Sequence, residues 1–170
     1  MEKYAYPEVF VRGITYSPLI LKRKNEYILV AELPTEEEYD EIYGHIIYEN
    51  VLDLALDLVK PEITKELIVI KEFTGKDEMK GLIIPEGIKP CLIEVKGASP
   101  YVFYNEGDEI REGDKLAYVV TRKEEVRVIR SPCEGIVVLN INITWEKPEK
   151  YIMVVVGKDE LRQITIRKGT

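Results

Sequence analysis

The side chain best placed for chemistry is Lys123, in the segment Val120-Thr121-Arg122-Lys123-Glu124. A primary amine on an exposed hairpin tip stands clear of the surface, so a group attached there would swing between reaction centres. Two cysteines, Cys91 and Cys133, and one imidazole, His45, are the soft ligands present. A redox pair or a partial metal site is within their chemistry, but they lack CxxC spacing and fall short of a structural zinc set, so core packing in a reducing compartment is the expected role of both cysteines. Packing or surface placement is expected of His45. No serine sits in a nucleophile elbow, and no glycine-rich phosphate loop precedes a helix. The acidic runs Glu36–Glu38 and Asp40-Glu41 have the chemistry for acid–base work, but an expected helix start assigns them to the helix dipole. Asp108 and Asp114 have the chemistry to hold a cation, and turn capping accounts for them without one. No catalytic and no metal-ligating residue is assigned, and a protein that is not an enzyme is expected.

The elements that must position Lys123 lie between Asn105 and Ile136. Glu106-Gly107-Asp108 and Glu112-Gly113-Asp114 repeat after six residues. The glycines accept φ > 0, and each aspartate can hydrogen-bond nearby turn amides. Leu116–Val120 then reads as a strand, Thr121–Glu125 as a hairpin tip, and Val126–Ile129 as the returning strand. Ser131-Pro132-Cys133-Glu134-Gly135 makes the next turn. Tyr101, Phe103 and Tyr104 precede the double turn, and Trp145 sits in a later loop. As aromatic anchors, these four are candidates for a protein interface.

The chain ahead of this stretch carries other signals. Residues 7–13 and 26–32 read as strands, with Lys22–Asn25 a solvated turn between them. Thr35 and Glu38 have capping-box spacing, and Tyr39, Ile42, Tyr43 and Ile46 then share one helical face, with Gly44 weakening or ending that helix. Residues 51–59 lean towards helix, closed by Pro61. Residues 66–72 form a strand, and the polar stretch 73–81 is taken as a loop and the domain junction. From Leu82 onward short strands alternate with turn signals, the pattern of a small barrel or sandwich.

The sequence GD-x-I-x-x-GD-x-L, a lysine-bearing tip and S-P-x-x-G-I-V together resemble the biotinyl/lipoyl carrier domains. That resemblance implies a barrel-sandwich hybrid over 81–160, with Gly107, Asp108, Gly113, Asp114 and Gly135 as structural turns. It also implies lipoate or biotin on Lys123, the tenth residue after Gly113. The flanks differ: Arg122 stands where a lipoyl domain carries an aspartate, and Gly135 follows Lys123 by twelve residues, one more than lipoyl spacing. An added tip residue changes the turn and re-aims the lysine. An unmodified lysine and no cofactor are therefore expected. The whole chain also resembles a small archaeal family of uncharacterised proteins ending in such a domain.

The expected architecture is mainly β. A small α+β domain (1–80) precedes the hybrid barrel, and a last strand (161–170) pairs back with the first domain. Apolar content of 45% and charged content of 32% describe a globular chain, and 170 residues suffice for a core. A net charge of −7 argues against binding through phosphate neutralisation, so no nucleic acid is expected. No apolar run reaches membrane-span length and no signal pattern opens the chain, so a cytoplasmic protein is expected, without membrane insertion. Asn142-Ile143-Thr144 matches a glycosylation acceptor, which is moot without secretion. The leading functional expectation is a non-catalytic docking or scaffolding module in a homo-oligomer or enzyme complex. A carrier acylated at Lys123, and a small-ligand binder or enzyme with a pocket between the domains, are the alternatives.

Overall fold

A computed structural model describes residues 8–33, 39–73, 77–143 and 149–169. Its elements in chain order begin with β1 (Glu8–Arg12), β2 (Leu19–Arg23), β3 (Glu26–Val30), β4 (Glu41–Ile46) and α1 (Val51–Leu54). They continue through β5 (Leu56–Asp57), β6 (Glu62–Ile63), β7 (Leu67–Phe73), β8 (Glu78–Ile84) and β9 (Cys91–Val102). The last are β10 (Glu109–Ile110), β11 (Lys115–Val120), β12 (Val126–Arg130), β13 (Gly135–Asn142), β14 (Glu149–Val156) and β15 (Arg162–Lys168). The chain divides into two compact units, Met1–Ile88 with Glu160–Thr170, and Lys89–Asp159. Among the described residues, no helix is long and apolar enough to cross a membrane.

In the first unit, seven strands close a barrel in the order β1-β4-β2-β3-β15-β8-β7, and β7 pairs back onto β1. The apolar runs Val9-Phe10-Val11 and Leu67-Ile68-Val69-Ile70 are buried on both faces, as a continuous apolar strand requires. Where the wall meets solvent the pattern alternates: β15 buries Ile164 and Ile166 and exposes Gln163, Thr165 and Arg167. The interior is filled by Phe10, Ile20, Tyr27, Tyr43, Ile68, Ile70, Met79, Ile83, Ile164 and Ile166. Each such apolar side chain stabilises the fold by about 1.5–3 kcal/mol relative to exposure.

The structure corrects several expectations here. Tyr39, Ile42, Tyr43 and Ile46 do fall on one helical face, yet Glu41–Ile46 is strand β4. Neighbours β1 and β2 offer a hydrogen-bonded ladder on both edges, and the barrel buries Tyr43 completely. Those long-range gains exceed a helix propensity of tenths of a kcal/mol per residue. Gly44 does not end a helix. It admits a close approach, since a Cβ there would lie 2.3 Å from the Ile14 carbonyl oxygen. Residues 51–59 form only one helical turn, α1, before turning into β5, which pairs with β6. The polar stretch 73–81 already contains the start of β8, where exposed Glu78 and half-buried Lys80 alternate with buried Met79 and Gly81. The turn expected at Lys22–Asn25 is confined to Lys24 and Asn25, with Lys22 and Arg23 inside β2. The first unit is therefore a barrel with one short helix among the described residues, not an α+β domain. Thr35 and Glu36–Glu38 lie outside the described residues.

The second unit is a six-stranded sheet in the order β10-β13-β14-β9-β11-β12. Strand β9 changes partner along its length, pairing with β14 over Cys91–Gly97 and with β11 over Ala98–Val102. Gly97 marks the change, where a Cβ would meet the Val119 Cβ at 2.7 Å. Ile93, Val95, Ile110, Leu116, Val119, Val137, Met153 and Val155 share one core, so both halves of the sheet turn the same face inward.

Candidate functional site

The hairpin carrying Lys123 is anchored by the double turn. Gly107 N donates to Val137 O (2.6 Å) and Val137 N returns to Asp108 O (2.9 Å). Six residues on, Gly113 N donates to Ser131 O (2.8 Å) and Ser131 N returns to Asp114 O (2.9 Å). Ser131 and Val137 are themselves six residues apart, so the repeat sets an antiparallel register. Gly107 and Gly113 have φ of 94° and 89°, where a Cβ is disfavoured. Asp108 Oδ2 accepts from Asn105 N and Asp114 Oδ2 from Arg111 N, each at 2.8 Å. Both carboxylates are thus engaged within their own turns.

Strands β11 and β12 run as partners out to Val120 and Val126, and Thr121–Glu125 close the tip. Thr121 N donates to Glu125 O (2.8 Å), Glu124 N to Thr121 O (2.9 Å), and Glu125 N to Thr121 Oγ1 (3.2 Å). Lys123 sits at the middle of this ordered loop and is exposed.

Of the aromatic candidates, Tyr101 and Phe103 point to the outer face, 64% and 39% exposed. Their rings meet edge-to-face at 5.3 Å, and Phe103 meets Tyr118 of β11 at 4.8 Å. Tyr104, one residue along, faces the other way. It packs on the second unit's core, with its hydroxyl 3.5 Å from Asp114 Oδ2. Trp145 lies outside the described residues. The ladder's third rung, Tyr118, escaped the sequence reading, although an aromatic within an alternating strand was the available signal.

Cys91 and Cys133 are joined by a disulfide, with Cα atoms 6.8 Å apart. This overturns the expectation of two unpaired core cysteines. Sequence spacing held no signal for the bond. Val155 is the register partner of both Cys91 and Val137, so β14 draws the start of β9 towards the turn ahead of β13. In that turn, buried Ser131 Oγ donates to Cys133 O at 2.5 Å and accepts from Cys133 N at 3.3 Å.

The barrel holds a second cluster that the sequence reading missed. β1, β2 and β8 end at the mouth where β3, β4, β7 and β15 begin. There Tyr43 Oη lies 2.7 Å from Glu41 Oε2 and 2.5 Å from Glu66 Oε2. Burial foremost, then hydrogen bonding to Glu66 and Glu41 and their negative charge, holds the Tyr43 phenol well above the ordinary tyrosine range. Arg12 bridges the same carboxylates at 3.6 and 3.7 Å and pairs with Glu86 at 3.0 Å. These contacts clasp β1, β4, the start of β7 and the turn after β8. Asp40, expected to serve a helix dipole, accepts instead from Lys24 N at 2.7 Å and steadies the β2–β3 turn. His45 packs edge-to-face on Phe10 at 5.3 Å. Among the described residues, no group of three or more His, Cys, Asp or Glu is arranged to hold a metal ion.

Fold and clusters together define a two-unit, mainly β protein with a closed barrel and a disulfide-linked sheet that displays a lysine on a hairpin tip. The chain belongs to the family described as "Uncharacterized protein conserved in archaea (DUF2118)", which matches residues 4–158. It is similar to "Uncharacterized protein MJ0859" of Methanocaldococcus jannaschii, 28% identical over 131 residues, 76% of this chain and 77% of the relative.

Proposed function

We propose that the protein is a non-catalytic docking module whose second unit holds a protein partner, as part of a homo-oligomer or enzyme complex. The observation that carries this reading is the exposed, mutually stacked ladder Tyr101–Phe103–Tyr118 on β9 and β11. Val126, 67% exposed, stands at the start of β12, next to β11. Stacked rings have already lost most of their rotamer freedom, so a partner gains apolar contact at low entropic cost. On this proposal the second unit is a barrel-sandwich hybrid, supported by its paired turns and lysine-bearing tip, and the protein works in the cytoplasm. Intracellular proteins of hyperthermophilic archaea keep disulfides, so the Cys91–Cys133 bond is compatible with that location.

A swinging-arm carrier is the second reading, favoured by the position of Lys123 at the middle of an ordered, exposed tip. Arg122 opposes it, because it reverses the charge of the aspartate that precedes a lipoylated lysine.

One preparation from the native source tests both. Light scattering should show a specific assembly that Tyr101→Ser with Phe103→Ser weakens at least about tenfold. A chain that stays monomeric and partner-free, or an assembly indifferent to those substitutions, removes the docking reading. Intact mass and peptide mapping decide the other: a lipoyl- or biotin-sized increment on Lys123 makes the protein a carrier.

A further inference from the structure

The barrel wall is incomplete beside β15. That strand pairs with β8 from Arg162 onward, but with β3 only over Ile166–Lys168. Arg162–Thr165 therefore have a strand neighbour on one edge alone, because β3 begins at Glu26, just after the β2–β3 turn. A cleft of about 350 Å³ opens at this gap, lined by Lys22, Asn25, Tyr27 and residues 162–165 of β15. Its size suits a small metabolite.

The charge of the cleft runs against that of the protein. The chain has a net charge of −7, yet among the described residues two cations line the cleft and no carboxylate does. The carboxylates Glu41 and Glu66 of the barrel mouth are engaged by Arg12 and Tyr43. Lys22 and Tyr27 face each other as register partners across the β2–β3 hairpin. Tyr27 is seated in the barrel core, its ring 6.5 Å from that of Tyr43, and only 6% exposed. Its hydroxyl accepts from Arg162 Nη2 at 2.9 Å, so a rigid post holds the guanidinium at the gap. Among the described residues, the other guanidinium N–H groups of Arg162 and the Lys22 ammonium have no ion-pair partner. A planar fork held this way matches two oxygens of one oxyanion, and a lysine beside it adds a point charge. Asn25, Gln163 and Thr165 complete the polar part of its lining.

We propose that this cleft binds a small oxyanion, the carboxylate or phosphate group of a metabolite, with Arg162 and Lys22 as the anion-holding pair and Tyr27 as the residue that positions Arg162. The site lies in the first unit and does not depend on the docking reading of the second.

Amide NMR on the full chain tests it, with inorganic phosphate and succinate titrated separately at constant ionic strength in chloride. Saturable shifts should centre on residues 22–27 and 162–165. Lys22→Gln and Arg162→Gln should each weaken binding at least about tenfold, the loss of one charge-assisted hydrogen bond. Lys96→Gln, which removes the same charge from β9 of the second unit, should leave binding unchanged. Whichever anion saturates at lower concentration identifies the headgroup. The absence of saturable shifts with both anions overturns the proposal. So does wild-type affinity in Lys22→Gln, or an equal loss in Lys96→Gln. If Arg162→Gln loses spectral dispersion, Lys22→Gln carries the comparison.

Discussion

Reduction of the Cys91–Cys133 bond is expected to destabilise the second unit by about 4 kcal/mol. The two cysteines are 42 residues apart in sequence. In the chain-entropy relation, closing a loop of that length removes about 13 cal/mol/K from the unfolded ensemble, or about 4 kcal/mol at 25 °C. The unit spans about 70 residues, and in a domain that small 1 kcal/mol moves the melting temperature by roughly 4–8 °C. A drop of roughly 15–30 °C follows for the transition of this unit. Both cysteines lie in Lys89–Asp159, so the barrel contains neither. Scanning calorimetry with and without a reductant, and on Cys91→Ser with Cys133→Ser, reads the effect directly. Alkylation under denaturing conditions without reductant checks the bond, and neither sulfur should label. Two labelled cysteines in protein from the native source would refute the bond. A shift of only a few degrees on reduction would refute the entropic account of its strength.

Tyr43→Phe removes the donor shared by Glu41 and Glu66 and should cost about 1–3 kcal/mol in urea titrations. The folded state favours the neutral Tyr43 phenol, so its contribution is complete below the ordinary value of 10.0 and is lost as pH rises above it. Stability of the wild type should therefore fall more steeply than that of Tyr43→Phe above about pH 10, and parallel curves would refute that assignment. Two glycines separate steric from conformational cost. Gly44→Ala drives a Cβ into the Ile14 carbonyl and should cost about 3 kcal/mol or more. Gly113→Ala, at φ of 89° with open space around it, should cost about 1–2 kcal/mol. The reverse order in chemical denaturation would sink the distinction.

What the sequence by itself determined is the mainly β class and the local chemistry of single strands and turns. Apolar runs such as Leu67–Ile70 are strand signals over a few residues. The glycines and aspartates of the double turn act on backbone torsions and amides no more than three residues away, as in Gly113 with φ of 89° and Asp114 holding the Arg111 amide. Such information is complete within a short window. Tertiary structure decided everything that depends on a partner strand. Glu41–Ile46 carries a helical spacing and becomes a strand because β1 and β2 flank it. The polar start of β8 is a strand because β7 and β15 are its neighbours. The disulfide exists because β14 lies between β9 and β13. The basic cleft depends on a contact between Tyr27 and Arg162 across 135 residues of chain. Hydrogen-bonded ladders and burial supply free energy only once distant segments meet in register, and no local window of sequence contains that register.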